Sequence, residues 1–448
     1  MQGGAVAGRS TGRGGRGASR STGGPGGYRS TGSSRPTRSP RSSRSSRSSS
    51  RFDSGRDELI ARAEADARDR ARDRARTGSS RGSGKPRGTL RAAAAARKTS
   101  VRKRNMNGYG GRGGKRRHLV LGVLSTILAI LAVVGTFARA LPSDLQELPY
   151  VPVIVSAAPW FILLSALALI LAFVSRRVVT AVVAIALLAL NVWWQYPFFH
   201  TQEKLPGRAM SAVAQPNPIT DDAYARVMTF NVYKGRADAQ AIVDTVRDQR
   251  VEVLALQETT DAFVSRLKAV GIEDYLPYSQ VSSSDGVYGN GLWSATPLAD
   301  PADDDVNSSA SFMPGGTVAF SGGAKHVRFV SVHTTAPVPG YWRQWKRSLD
   351  ELALMRSHTD STYVFMGDFN ATYDHTPFRE FLGDRFSDAA RQAGHGFTFT
   401  WPADRVVPPA FAGIDHVVVD RGIVAGQMQV KRIAGSDHAA LLATLALE

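Results

Sequence analysis

Apolar and polar residues follow three different rhythms along this chain, and each predicts a different kind of structure. Over residues 1–118 large apolar residues are almost absent and no period recurs. Three nearly unbroken apolar runs follow, at 119–138, 151–174 and 178–196. As helices they match a hydrocarbon core about 30 Å thick, so they predict three transmembrane helices. The third ends in Trp193, Trp194, Tyr196, Phe198 and Phe199, an aromatic cluster of the kind that settles at a bilayer surface. The first run starts behind too long a tail to be an ordinary cleaved signal peptide. Residues 200–222 are a Pro-rich polar linker. From 223 to 448 the apolar runs shorten to strand length: ARVMTFNVY, VEVLALQE, VRFVSVHT, TYVFMGDFN and GIDHVVVD. ADAQAIVDTVRDQR and YWRQWKRSLDELALMRSH instead carry a helical apolar stripe. That alternation predicts a single α/β domain.

Charge divides the chain in the same place. Residues 1–118 hold 31 Lys and Arg against 7 Asp and Glu, so the net charge of +18 belongs to the tail. Such an Arg/Ser/Gly-rich segment buries too little surface to offset chain entropy and is expected to be disordered. Within it, 55–76 has the spacing of a charged helix, or of a solvated spacer. Lys115, Arg116 and Arg117 precede the first apolar run, and Arg176-Arg177 joins the second to the third. Positive-inside logic places the tail and this loop in the cytoplasm, leaving everything after 199 outside the cell membrane. With no cysteine, disulfide partners, thiolate catalysis and Cys-ligated zinc are excluded.

Candidate chemistry sits at strand ends. Asn231 ends VMTFN, Glu258 ends VLALQE, His333 ends FVSVH, and Asp368 and Asn370 end VFMGDFN. Two Asp-His pairs follow, Asp415-His416 and Asp437-His438. Taken singly, Glu258 reads equally as a surface residue or a ligand, and His333 as a hydrogen-bonded structural histidine. Together they form a set rich in hard oxygen donors, suited to Mg²⁺ or Mn²⁺ with substrate phosphate. A carboxylate held by an amide can orient water, and an Asp-supported histidine can stabilise a phosphoryl transition state. These residue types point to metal-dependent phosphoester hydrolysis.

The ordered series TFNVY, ALQET, YGNGLWSATPL, VSVHTT, GDFNAT, GIDHVVV and GSDHAALLATL resembles the endonuclease/exonuclease/phosphatase superfamily, with its deoxyribonuclease-like and sphingomyelinase-like members, from about 225 to 446. The resemblance implies a four-layered sandwich of two packed β-sheets flanked by helices. It implies Glu258 as principal metal ligand, with Asp437 beside the metal and Asn231 positioning metal and phosphate. It implies Asp368 as the group that aligns or deprotonates water, Asn370 as its support and phosphate contact, and His438 on the scissile phosphate with Asp415 behind it. His333 matches a phosphate-contacting histidine, whereas 288–294 lacks the acid that supports it in deoxyribonuclease-like members.

Other segments carry less. Trp342, Arg343, Trp345, Lys346 and Arg347 interleave aromatic and basic residues on one helix; Arg343 and Arg347 are candidates for holding substrate phosphate. The plainer alternatives are a membrane-surface helix or a helix with one core face and one solvated face. Asp303–Asp305 read as a solvated loop. Phe397, Phe399 and Trp401 read as core or cleft wall. His416, facing away from Asp415 by strand alternation, is expected to pack. The sequence thus predicts a membrane-anchored phosphodiesterase acting on nucleic acid or a phospholipid head group. The alternative is a non-catalytic membrane protein whose basic tail binds acidic lipid or nucleic acid.

Overall fold

The structure, a computed structural model, describes residues 111–447; the expectations for the tail before 111 lie outside the described residues. Helices α1 (Gly111–Ala140), α4 (Phe161–Ser175) and α5 (Val178–Gln195) pack as a bundle, with the short α2 (Ser143–Gln146) and α3 (Val151–Ser156) between the first two. Among the described residues three stretches are long and apolar enough to cross a membrane: Arg116–Ala140, Ala158–Ser175 and Val178–Phe199. Ala129, Ala168 and Ala184 meet at the bundle centre, where small side chains allow close backbone approach. The 151–174 run is not one helix, contrary to its even hydropathy. Pro159 has no N–H to give the Val155 carbonyl four residues back and its ring crowds that carbonyl, so the helix stops at Ser156 and a membrane-length helical stretch restarts at Ala158.

Twelve strands form two six-stranded mixed sheets. One sheet contains β1 (Tyr224–Asn231), β2 (Val253–Gln257), β3 (Tyr278–Ser282), β4 (Asn290–Ser294), β11 (Ile423–Arg432) and β12 (Ala439–Leu447), in the order β11-β12-β1-β2-β4-β3. The other contains β5 (Ala299–Ala302), β6 (Gly315–Phe320), β7 (Lys325–His333), β8 (Thr362–Asp368), β9 (Ser387–Asp388) and β10 (Asp415–Val419), in the order β5-β6-β7-β8-β10-β9. Strand alternation explains the layers. Val227, Ala255, Leu292, Phe329, Val364, Val417 and Leu441 point between the sheets. Met228, Phe230, Leu254 and Leu256 point outward against α7 (Ala239–Gln249) and α8 (Asp261–Ala269). Val332 and Phe365 do the same against α9 (Trp342–Leu354) and α10 (Thr376–Leu382). The result is the four-layered sandwich, with α11 (Ala389–Ala393) packed beside β11.

The stretch between bundle and domain is more ordered than its Pro-rich composition suggested. It holds α6 (Gly207–Val213), and Leu205 and Ala209 pack on Val424 and Ala446 of the first sheet. The domain also sits directly on the bundle. Asp374 accepts hydrogen bonds from Arg139, at the end of α1, and from Gln195, at the end of α5. Gln146 exchanges two bonds with Thr376, and the Nε2 of His375 donates to the Pro152 carbonyl at 2.9 Å. Of Phe397 and Phe399, expected in the core or cleft wall, Phe399 stacks on Trp160 while Phe397 packs tilted on Phe198 and edge-on to Phe199 at the helix ends.

Candidate active site

Each sheet contributes one half of a polar cluster at the same end of the sandwich. His333, Asp368 and Asp415 sit side by side on β7, β8 and β10: His333 pairs in register with Asp368, and Asp368 with Asp415. Asn231 ends β1, Glu258 follows β2, and Asp437-His438 lead into β12. Asn231, His333, Asp368 and Asp415 share the parity of the inter-sheet core, so alternation alone aims all four between the sheets. Glu258 has the opposite parity, because Gln257 points inward and bonds Ser331 of the facing sheet. A positive φ of 60° at Glu258 turns its carboxylate back toward Asn231. Asn370 has φ 46°, also left-handed. Such backbone costs about 1–3 kcal/mol at a non-glycine residue and collects at functional sites.

The hydrogen bonds join the halves. Asn231 donates from Nδ2 to Asp368 Oδ2 at 3.0 Å and to Glu258 Oε1 at 3.3 Å. Glu258 Oε2 accepts from the Lys234 backbone at 2.9 Å. The Asn370 backbone donates to Asp368 Oδ1 at 2.8 Å, its side chain donates to the Thr334 carbonyl, and Trp345 Nε1 donates to the Asn370 carbonyl. His438 Nδ1 donates to Asp415 Oδ2 at 2.9 Å, and its Nε2 lies 3.6 Å from Asp368 Oδ2. His333 Nε2 lies 3.7 Å from the same oxygen, and its Nδ1 approaches the Val287 backbone without a well-formed bond. That agrees with the missing acid in 288–294.

The charges are set by burial and by these neighbours. Burial, only partly offset by His438, lifts the Asp368 carboxyl to about 6. Burial also works against a charged His438, but Asp415 and Asp368 outweigh it and raise the imidazole to about 10. Burial lowers His333, which has no hydrogen-bonded acid to counter it. At neutral pH the cluster therefore holds a charged His438 between two carboxylates and a neutral His333. Burial raises Glu258, and the nearby Asp437 carboxylate adds to the rise.

A cation fits this donor set. Among the described residues neither Glu258 nor Asp437 has a Lys, Arg or His ion-pair partner, and Asp437 Oδ1 is buried without a hydrogen bond. Asp368, Asp415 and His438 also bring one ligand atom each within 4.8 Å of one another. In that second group His438, held as an imidazolium by Asp415, has no lone pair to give a metal. The Glu258 carboxylate, which no cationic side chain pairs, and the unpartnered Asp437 Oδ1 are the better match to a hard divalent ion.

Sequence reading placed Trp401 in the core or cleft wall but did not find the bonds that hold this cluster. Trp401 donates to Asp437 Oδ2 at 3.4 Å, Trp345 and Thr334 fix Asn370, and Gln257 crosses between the sheets. Their signal was only proximity to the motifs. Arg343 and Arg347 lie outside the cluster, on the exposed face of α9, lining a cavity of about 420 Å³ with Glu147, Leu148 and Pro149. Asp303–Asp305 are structural: Asp305 pairs with Arg328, Asp304 accepts loop amides, and Asp303 accepts from Gln280.

Residues 228–438 match the Endonuclease/Exonuclease/phosphatase family. No curated protein matches the chain. Among solved structures, humanized D. rerio TDP2 with 14 mutations is 15% identical with a TM-score of 0.41, covering 50% of this chain and 99% of that one. An endonuclease/exonuclease/phosphatase from Beutenbergia cavernae is 18% identical with a TM-score of 0.38, covering 50% and 72%. A mannosyl-6-phosphatase from Bacteroides thetaiotaomicron is 12% identical with a TM-score of 0.39, covering 50% and 99%. Residues 228–438 thus form a domain of the endonuclease/exonuclease/phosphatase family, whose members are metal-dependent phosphoesterases.

Proposed function

We propose that the chain is a membrane-anchored, Mg²⁺- or Mn²⁺-dependent phosphodiesterase, acting by attack of water on a phosphodiester of nucleic acid or of a phospholipid head group. The observation that carries this reading is the junction of the two half-sites, where Asn231 bonds both Glu258 and Asp368 while His438 lies between Asp368 and Asp415. Glu258 and Asp437, with Asn231 alongside, would hold the divalent ion. When bound, that ion would neutralise phosphate charge. Asp368, held by the Asn370 backbone and by Asn231, orients the water and takes its proton. His438, kept charged by Asp415, places Nε2 on the phosphate and stabilises the charge that grows there. His333, neutral and unsupported by an acid, serves as a phosphate contact, with Asn370 beside it. Arg343 and Arg347 would hold a more distant anionic part of the substrate.

The domain divisions follow: a basic tail over 1–118, three spans within 119–199, a connecting segment over 200–222 and the catalytic domain over 223–448. Positive-inside logic supports a cytoplasmic tail and an extracytoplasmic catalytic domain. The tail is an additional contact for anionic lipid or nucleic acid.

The test uses the full chain in nanodiscs with Mg²⁺ and a water-soluble bis-aryl phosphodiester. Hydrolysis should be abolished by EDTA, restored by Mg²⁺ or Mn²⁺, and lowered by about 10² or more in Asp368→Ala and His438→Ala. No hydrolysis by the parent chain, or variants equal to it, would overturn the reading.

A further inference from the structure

The segment between Trp401 and Phe411 bridges the cluster and the membrane bundle. It touches the catalytic cluster: Trp401 Nε1 donates to Asp437 Oδ2 at 3.4 Å, and the Ala403 backbone donates to the Asp437 carbonyl at 2.7 Å. It touches the membrane bundle: Trp160 Nε1 donates to the Phe411 carbonyl at 2.9 Å. Phe411 and Trp401 close the loop as neighbours, with the Phe411 backbone donating to the Trp401 carbonyl at 3.0 Å. The chain Trp160–Phe411–Trp401–Asp437 thus links a membrane helix to the cluster through three hydrogen bonds.

Trp160 is the third residue of the span Ala158–Ser175, where an indole lies at the bilayer surface. The loop therefore emerges at that surface, and its tip is apolar. Val406 and Val407 are 81% and 84% exposed, the highest among the exposed large apolar residues of the described chain, with Pro408 and Pro409 following. Single exposed apolar residues are ordinary on a water-facing surface. Two adjacent valines held this open, five and four residues before the Phe411 that bonds Trp160, are close enough in the chain to reach the apolar environment that favours them. The charged residues at the loop's base, Asp404 and Arg405, pair with each other at 3.0 Å, and residues 406–412 hold no charge.

The opposite rim has the same construction. Residues 334–341 run from the His333 strand end and expose Val338 and Tyr341. They lead into Trp342, which packs on Tyr150 of the bundle, and into Lys346, which pairs with Asp144. The cluster is bordered on both sides by apolar loops fastened to the helix ends.

We infer that Val406 and Val407 enter the outer leaflet of the membrane that the chain's own helices span, and that the cleft takes its phosphodiester from a lipid in that leaflet. The substrate half of this inference rests on the phosphodiesterase reading; the insertion half does not. In the reaction one water is consumed: its oxygen bonds to phosphorus, a P–O ester bond breaks, and the leaving alkoxide takes up a proton. The products are an alcohol and a phosphomonoester.

Because the chain has no cysteine, Val407→Cys gives a single attachment point for an environment-sensitive fluorophore, and Asp360→Cys, before the far end of β8, gives a water-facing control. Both are reconstituted as the full chain in phosphatidylcholine liposomes containing phosphatidylglycerol. Probe emission at 407, but not at 360, should be quenched by spin-labelled acyl chains. Probe emission equal at the two positions would overturn insertion even in an active enzyme. Three substrates are then compared: phosphatidylglycerol in the liposome, the bis-aryl phosphodiester, and a DNA oligonucleotide. Val406→Ser/Val407→Ser should slow phosphatidylglycerol loss by about tenfold or more and leave bis-aryl hydrolysis within about twofold. Equal lipid turnover in parent and double variant, or cleavage of the oligonucleotide with no loss of lipid, overturns the lipid substrate and leaves the phosphodiesterase reading standing. A quenched probe with none of the three substrates cleaved overturns the phosphodiesterase reading and the lipid substrate with it, and leaves insertion standing.

Discussion

His416 and His438 each follow an aspartate in the sequence, each is buried, and each donates from Nδ1 to a carboxylate, to Asp388 at 2.7 Å and to Asp415 at 2.9 Å. They differ at the other nitrogen. His416 Nε2 donates to the Ala371 carbonyl at 2.9 Å, and its ring packs on Phe378 with centroids 4.4 Å apart. Acceptors on both nitrogens make it an imidazolium with nothing left to offer; burial opposes its charge, but Asp388 raises it above the ordinary histidine value. His438 Nε2 has no hydrogen-bond partner and faces Asp368 across 3.6 Å. On the proposed mechanism, what sets His438 apart from His416 is therefore the open second nitrogen and not the buried Asp–His bond. The two also belong to different partnerships: Asp415 adjoins His416 in sequence but serves His438.

The sharpest way to break this contrast is to remove each ring. His438→Ala should lower kcat of the folded fraction by about 10²–10⁴ in the nanodisc phosphodiester assay. Next in size, Asp415→Asn should cost about 10²-fold in kcat, because the amide neither fixes the His438 tautomer nor balances its charge. Equal activity in that variant would detach Asp415 from the site. His416→Ala should do the reverse: about 2–4 kcal/mol less stability by denaturant unfolding, from an orphaned Asp388 and a cavity beside Phe378, with kcat of the folded fraction within about twofold. A large kcat loss there would make the two histidines alike after all.

Glu252 supplies the third case, a buried carboxylate without a histidine. Its Oε1 accepts from the Arg226 backbone, and burial raises its carboxyl from 4.5 to about 8. The folded state holds this proton more tightly than the unfolded chain, so its contribution to stability is fully present below the unfolded value of 4.5. It is lost as pH rises through about 8. Glu252→Gln keeps the acceptor and removes the titration. Its melting temperature should gain on the parent's between pH 5 and pH 8, by about 2–4 °C for each ~1 kcal/mol involved. A constant difference across that range would show that Glu252 does not titrate there.

Much of the site was legible because strands have a period of two. Asn231, His333, Asp368 and Asp415 share the parity of Val227, Phe329, Val364 and Val417, so a reading that found the core face also found the cleft face. Asp388 was not legible as the partner of His416, since nothing local links residues 28 apart on adjacent strands. The Asp374 junction was equally hidden. An aspartate in a polar loop and an arginine at the end of an apolar helix each look solvated until packing buries them together. Removing either partner would leave a buried charge uncompensated.

By itself the sequence determined the three membrane-length apolar runs, the alternation that makes an α/β sandwich, and the residue types of a phosphoesterase cluster. All three are properties of local composition and period, which hydropathy and strand geometry read directly. Tertiary structure alone decided that a left-handed Glu258 turns against its strand parity, which aspartate serves which histidine, and that the sandwich domain stands on the bundle. Those depend on backbone strain and on contacts between residues far apart in the chain, and no local pattern encodes them.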